Sequence, residues 1–196
     1  GIDIGGTFTD FMVIDDNGDT LIVEKCLTTP SAPEQGVFDG LDRLAMKVDN
    51  LFSTTTEMVH ATTLVTNVII ERKGAITGLL TTNGFRDILE MRREVRYFLY
   101  DIFIRFPEPL VPRRLRFGIP ERVLADGEVM TPLNEEAVRT AAIALLKEDV
   151  SAVAVCFLHS YRNPINEKRA GKILSEIMPN AVVSLSHEIY PEPKEY

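Results

Sequence analysis

The first ten residues, GIDIGGTFTD, constrain the chain more than any other stretch. Gly1–Ile4 reads as a short strand, with Ile2 and Ile4 on one face and Asp3 on the other. Gly5 and Gly6 follow. Their lack of a side chain predicts a tight turn with φ above zero and nothing covering it. Consecutive N–H groups in such a turn form a concavity that suits an anion. Thr7 and Thr9 add hydroxyl donors, and Asp3 and Asp10 are placed to orient a hydrated Mg²⁺. An ordinary hairpin would use the same glycines for its turn alone, and these ten residues leave both readings open.

The rest of the chain reads as α/β. Apolar runs at Phe8–Ile14 and Thr20–Leu27 flank Asn17-Gly18, a hairpin signal, and complete an opening β-meander. A helix is expected over Glu34–Lys47, with Val37, Phe38, Leu41, Leu44 and Ala45 inward. A strand near Glu57–His60, a helix over Leu64–Arg72, a strand at Ala75–Leu80 and a helix at Phe85–Met91 follow. Between Arg92 and Leu133 the alternation breaks into a proline- and arginine-rich stretch with one hairpin-like segment, RVLADGEVM. Alternation resumes with a helix capped by Asn134 and reaching Lys147, with Val138, Ala141, Ala142, Leu145 and Leu146 at core spacing. AVAVCFL reads as a buried strand. A helix starting at Asn163-Pro164 places Ala170, Ile173, Leu174, Ile177 and Met178 inward, and AVVSLS is the last strand. The expected organisation is a first α/β unit at 1–91, an irregular arm or hairpin at 92–133 and a second α/β unit at 134–196. After the meander the strands are expected to be mostly parallel.

Composition narrows the function. A formal charge of −8 over 196 residues argues against general nucleic-acid binding. No apolar run approaches the roughly 20 residues that span a bilayer. Cys26 and Cys156 lack CxxC spacing and suit a reducing, cytoplasmic setting as small buried hydrophobes. The chain begins without Met inside a strand pattern, so a piece of a larger protein is expected.

In parallel α/β sheets ligands gather beyond the carboxyl ends of the strands. His60, His159, His187, the Gly5-Gly6 turn and TTNG all fall just past expected strands, so one crevice would account for all five. HATTLVTN is the second candidate site: Thr62, Thr63, Thr66 and Asn67 offer polar groups where a helix begins, and anions are favoured there. One of the two first threonines is expected to cap that helix. The histidines have no metal-ligand spacing, and no GxSxG or Walker A lysine motif occurs. Arg92–Arg122 holds eight arginines against four acids, together with Tyr97, Phe98, Tyr100, Phe103, Phe106 and Phe117. Packing against another domain or subunit fits that mixture better than RNA.

Several of these stretches together resemble a known family. GIDIGGTFTD, HATTLVTNVIIERKGAITGLLTTNGFRDILE, LYDIF, PLVPRRLRF, AVAVCFLHSYRNPINE and VSLSHEIYPEPKEY are similar, in order and over nearly the whole chain, to the N-terminal region of ATP-dependent hydantoinase A / 5-oxoprolinase enzymes. The resemblance implies an actin-like (sugar kinase/Hsp70-like) ATPase lobe whose opening hairpin binds ATP phosphates with Mg²⁺. Gly5, Gly6, Thr7 and Thr9 would then bind the nucleotide and Asp3 the metal. Asp3, Asp10 and His60 are the catalytic candidates, and Thr62, Thr63, Thr66 and Asn67 the substrate-side ones. The implied reaction is ring-opening hydrolysis of a cyclic amide activated by phosphorylation, with a hydantoinase B-type subunit or domain as partner. A related branch carboxylates ketones. Ala61 stands where members often have glycine, and MRREVRYF departs from the usual glycine-containing pattern. A sugar kinase would need a catalytic aspartate in a sugar-binding loop, which the chain does not show. An isolated lobe inactive by itself is the third reading.

Overall fold

The computed structural model describes residues 1–15, 21–29, 31–92 and 98–193. The Asn17-Gly18 turn, Pro30, the middle of MRREVRYF and the last three residues lie outside them. Contacts divide the chain after Gly74, within the stretch the sequence groups as one unit at 1–91.

The first unit is a mixed four-stranded sheet. β1 (Ile2–Ile4) pairs antiparallel with β2 (Phe8–Ile14), and β2 with β3 (Leu21–Leu27). On its other side β1 pairs parallel with β4 (His60–Thr62), giving the order β3-β2-β1-β4. The period of two turns Ile2 and Ile4 to the core, as the opening stretch predicts, and Thr9 and Phe11 with them. Helix α1 (Pro33–Ala45) closes that side with Leu44 buried and Val37 and Leu41 packed against it. Phe38, expected inward, is instead exposed. Gly40 marks the closest approach: a Cβ there would stand 2.1 Å from the Phe11 ring. A single turn, α2 (Leu51–Thr54), precedes β4, and α3 (Leu64–Glu71) follows it with none of its residues buried.

The strand expected at Glu57–His60 forms at His60–Thr62 instead. Met58 and Val59 suggested the earlier start, but both are exposed, and pairing with β1 sets the register.

The second unit is an all-parallel sheet of order β10-β9-β5-β6. β5 (Thr77–Thr82) leads through TTNG to a single helical turn, α4 (Ile88–Met91), shorter than the helix expected from Phe85. A 3-10 turn (Arg113–Leu115) enters β6 (Arg116–Ile119), and β7 (Arg122–Val123) pairs with β8 (Val129–Thr131) as the RVLADGEVM hairpin. α5 (Glu135–Leu146), β9 (Ala152–Cys156), α6 (Ile165–Ile177), β10 (Val182–Leu185) and the short α7 (Ser186–Ile189) complete it. Asn134 caps α5 as expected, its side chain accepting the N–H of Ala137 at 2.9 Å. Val138, Ala141, Ala142 and Leu145 of α5, and Ala170, Ile173 and Leu174 of α6, join Leu80, Val153 and Val155 in one core. Leu146 is exposed instead of packed.

The arginine-rich stretch is therefore not one irregular arm. The described part of it belongs to the second unit, and from Val111 onward it joins the core: Leu115 and Ile119 are core residues, and β6 is a strand of the main sheet. Cys26 and Cys156 are both free thiols. Among the described residues no helix is long and apolar enough to cross a membrane.

Candidate active site

β1 ends at Ile4, and the chain turns through Gly5, Gly6 and Thr7 before returning as β2. Four hydrogen bonds define the turn. The Gly5 N–H donates to the Phe8 carbonyl and the Thr28 N–H to the Thr7 carbonyl, both at 2.9 Å. The Thr28 hydroxyl donates to the Gly5 carbonyl at 2.9 Å. Thr9 Oγ1 lies 3.0 Å from Thr28 Oγ1. A hydroxyl has one proton, and that of Thr28 is committed to Gly5, so Thr9 is the donor of this last bond. Among the described residues no group takes the N–H of Gly6 or of Thr7. Both residues are exposed, and together they form the open part of the turn.

Two details differ from what the sequence suggests. The described glycines with positive φ are Gly84 and Gly127, so Gly5 and Gly6 turn with ordinary φ. Their requirement is steric instead: a Cβ on Gly5 would stand 2.9 Å from the Phe8 carbonyl oxygen, and one on Gly6 3.0 Å from Nδ2 of Asn67. Thr9, expected to face a ligand, is fully buried and supports the turn from behind.

Asp3 and Asp10 are directly opposite each other on β1 and β2, on the face away from Ile2 and Ile4. Asp10 pairs with Lys25 at 2.9 Å, and the same ammonium lies 4.8 Å from the centre of the Phe8 ring. Asp3 is exposed and has no ion-pair partner among the described residues. No cluster of three or more His, Cys, Asp or Glu side chains able to hold a metal occurs among them. Mg²⁺ needs no such cage, because it keeps several waters and takes one or two carboxylates plus phosphate oxygens. The open N–H groups and the uncommitted Asp3 fit a phosphate with its Mg²⁺.

HATTLVTN adjoins this turn. The Ile4 carbonyl accepts the N–H of Thr63 and the hydroxyl of Thr62, each at 3.2 Å. The Thr62 hydroxyl in turn accepts the N–H of Leu64 at 3.2 Å. Thr62 is thus the residue that secures the helix start, and its one hydroxyl proton is committed to Ile4. Thr63 is the N-cap residue without a side-chain cap bond. Thr63, Thr66 and Asn67 stand at i, i+3 and i+4, one face of the first turn of α3. Asn67 is the one whose amide reaches Gly6. His60, by contrast, begins β4 in register with Ile2, at the far end of the strand from the turn.

The five positions expected to share one crevice divide between the two sheets. TTNG, His159 and His187 belong to the second unit, where a buried polar network lies at the strand ends. The Glu167 carboxylate, wholly buried, accepts from the Phe157 N–H (2.9 Å), the Ser186 hydroxyl (2.6 Å), the His187 N–H (3.1 Å) and His187 Nδ1 (2.7 Å). Ser160 contacts Ser186 at 2.9 Å. Beside it Glu121 accepts from the Thr82 hydroxyl and from Asn166 Nδ2, the latter at 2.8 Å. The Thr82 hydroxyl takes the Leu158 N–H at 2.9 Å. Burial pushes the Glu121 carboxyl above the usual carboxylate range, against the opposing effect of these two donors. Sequence reasoning flagged His187 but not Glu167 or Glu121, since a lone glutamate on a helix or after a strand reads as surface.

The architecture is that of an actin-like ATPase lobe: a meander sheet with a glycine turn, then an all-parallel sheet with flanking helices. The family model for the hydantoinase/oxoprolinase N-terminal region matches residues 1–178, and the chain belongs to that family. Caprolactamase subunit alpha of Pseudomonas jessenii is 36% identical over the whole of this chain and 29% of that protein. The nucleotide-free structure of acetone carboxylase, from a study of ATP-dependent acetone carboxylation, matches with a TM-score of 0.86 at 33% identity, covering 100% of this chain and 30% of that one. The structure of the ATP-dependent caprolactamase from Pseudomonas jessenii matches with a TM-score of 0.83 at 34% identity, covering 100% and 29%. The chain thus spans about 29% of the length of the caprolactamase subunit.

Proposed function

We propose that this chain is the N-terminal, phosphate-binding part of an enzyme that uses ATP to open a cyclic amide. The observation that carries the reading is the turn after β1, where the Gly6 and Thr7 N–H groups are open and the Asn67 amide stands beside Gly6. Open N–H groups in a turn of this kind suit a polyphosphate oxygen, and Asp3 suits a Mg²⁺ held through water. An amide carbonyl is a poor electrophile; a phosphoryl group moved from ATP to its oxygen, with ADP leaving, would let water add at the carbon, phosphate depart and the ring C–N bond open. The residues here do electrostatic and positioning work for that transfer. Gly6 and Thr7 hold the phosphate, Asp3 orients the metal's waters, and Thr63, Thr66 and Asn67 line the side from which substrate or transferred phosphate would be reached. Asp10, paired with Lys25, fixes the charge pattern next to Asp3. In this reading His60 and Thr62 support the structure and carry no chemistry.

A second reading is ATP-dependent carboxylation of a ketone, favoured by the match to acetone carboxylase. The same turn would serve both, since both relatives are ATP-dependent. A relative named a subunit supports a partner subunit, which this reading takes to be of the hydantoinase B type, and the exposed Phe98, Tyr100 and Phe103 offer it a surface. The free thiols suit a cytoplasmic setting. The test is phosphate release from ATP by the complete protein with its partner. Stimulation by lactams, hydantoins or 5-oxoproline supports the hydrolase; stimulation by ketones only with bicarbonate supports the carboxylase; no stimulation by either overturns both.

A further inference from the structure

Thr28 lies outside every motif that the turn itself suggests, yet it takes part in three of the turn's four bonds, donating two and accepting one. It stands just past the end of β3, 23 residues from Gly5 in sequence. Its N–H holds the Thr7 carbonyl and its hydroxyl holds the Gly5 carbonyl, each at 2.9 Å. Behind it, Thr9 donates to the Thr28 hydroxyl, and both side chains are buried. Each carbonyl that Thr28 ties down turns a peptide unit. The Gly5 carbonyl fixes the plane that carries the Gly6 N–H, because carbonyl and following N–H point in opposite directions across a trans peptide. The Thr7 carbonyl is fixed in the same way from the other side of the turn.

We propose that Thr28, backed by Thr9, is the positioning residue that presents the Gly6 N–H to the bound phosphate. The inference rests on the phosphate-binding reading of the turn. Valine in place of Thr28 keeps the shape but removes the donor, leaving the Gly5 carbonyl and the Thr9 hydroxyl without partners. The peptide between Gly5 and Gly6 is then free to rotate, and the site loses preorganisation. Serine retains the hydroxyl and restores it. The Thr28 N–H bond to the Thr7 carbonyl survives in both variants, so the Thr7–Phe8 peptide and that side of the turn stay in place and binding is weakened, not abolished.

The experiment measures Mg·ADP and Mg·ATP binding by calorimetry, with thermal melting, on the complete protein carrying Thr28→Val, Thr28→Ser or Thr9→Val. Thr28→Val is expected to raise the Kd of both nucleotides about tenfold, the scale of one buried hydrogen bond and the partner it orphans. Thr28→Ser should stay within about twofold of the parent. Thr9→Val, which removes only the backing donor, should fall between them. A Thr28→Val protein that melts earlier but binds both nucleotides like the parent overturns the proposal, since Thr28 would then be structural only. If Thr28→Val does not fold, Thr9→Val decides: unchanged affinity overturns the proposal, and weakened affinity restored by Thr9→Ser supports it. Failure of the parent itself to bind either nucleotide refutes the phosphate-binding reading, a result distinct from all of these.

Discussion

A methyl group on Gly6 would stand 3.0 Å from Nδ2 of Asn67, tighter than ordinary contact, and only a side-chain amide has to give way. Gly6→Ala is therefore expected to fold with stability within about 1 kcal/mol of the parent while pushing Asn67 off the turn. Its nucleotide Kd should rise several-fold, with the melting temperature as the control. Gly40→Ala makes the opposite contrast. Its Cβ would stand 2.1 Å from the buried Phe11 ring, which cannot step aside without disturbing the core. That variant should lose roughly 1–3 kcal/mol in urea unfolding. Asp3 is exposed and makes no ion pair among the described residues, so Asp3→Ala should change stability by no more than about 0.5 kcal/mol. On the proposed reading it abolishes Mg·ATP turnover in the complete enzyme; full turnover by that variant would refute the role of Asp3.

Between elements, buried carboxylates join strand ends to helices, and they give stability a defined pH dependence. Burial raises the folded pKa of Glu121 above its unfolded value near 4.3. The folded state then holds the proton more readily than the unfolded chain. Stability falls as pH rises from the unfolded value through the folded one and is level above it. Asp87 and Glu90 act with the opposite sign, since hydrogen bonds from Arg113 and Arg116 hold their carboxyls below the usual range. Their contribution is present above the ordinary carboxylate pKa and is lost as pH falls through the lowered values. Glu121→Gln, melted across pH 4 to 8, should lack the parent's decline with rising pH; a decline equal to the parent's would contradict this account. These same joints explain what the sequence hides. The alternating faces of β1 and β2, the cap at Asn134 and the core positions of α5 and α6 follow from periodicity and are legible. β6 is not, because it opens with Arg116, a buried guanidinium paired with Glu90 and with the Val111 carbonyl at 2.8 Å. An inward arginine in a proline-rich stretch has the pattern of a solvated loop. The site was legible to the same degree. GGTFTD and Asn67 stand out by residue type, whereas Thr28 is recognisable only from bonds that close over 23 residues.

Over the whole molecule the excess of arginine between Arg92 and Arg122 first suggests one charged docking arm, and the structure splits it. Arg113 pairs with Asp87 at 2.7 Å, Arg114 with Glu148 at 3.4 Å, and Arg116 with Glu90, all within the second unit. Those arginines serve their own fold, so the surface for a partner has to be sought elsewhere in the stretch. The rings before them are different: Tyr100 is 93% and Phe103 83% exposed, and Phe98, Leu99 and Ile102 are exposed with them. A contiguous group of large apolar side chains on the surface favours an interface over solvent. Two substitutions separate the possibilities. Arg113→Glu breaks the Asp87 pair and should lower the melting temperature of this unit while leaving assembly with a partner subunit largely intact. Tyr100→Asp with Phe103→Asp touches no core residue, so the melting temperature should hold, but a charge at each ring position should weaken assembly at least tenfold, since aromatic anchors at interface centres commonly contribute 2 kcal/mol or more. Size-exclusion chromatography of the co-expressed complex across a dilution series reads this directly. Assembly indifferent to the aspartates, or sensitive to Arg113→Glu instead, would return the docking surface to the arginines.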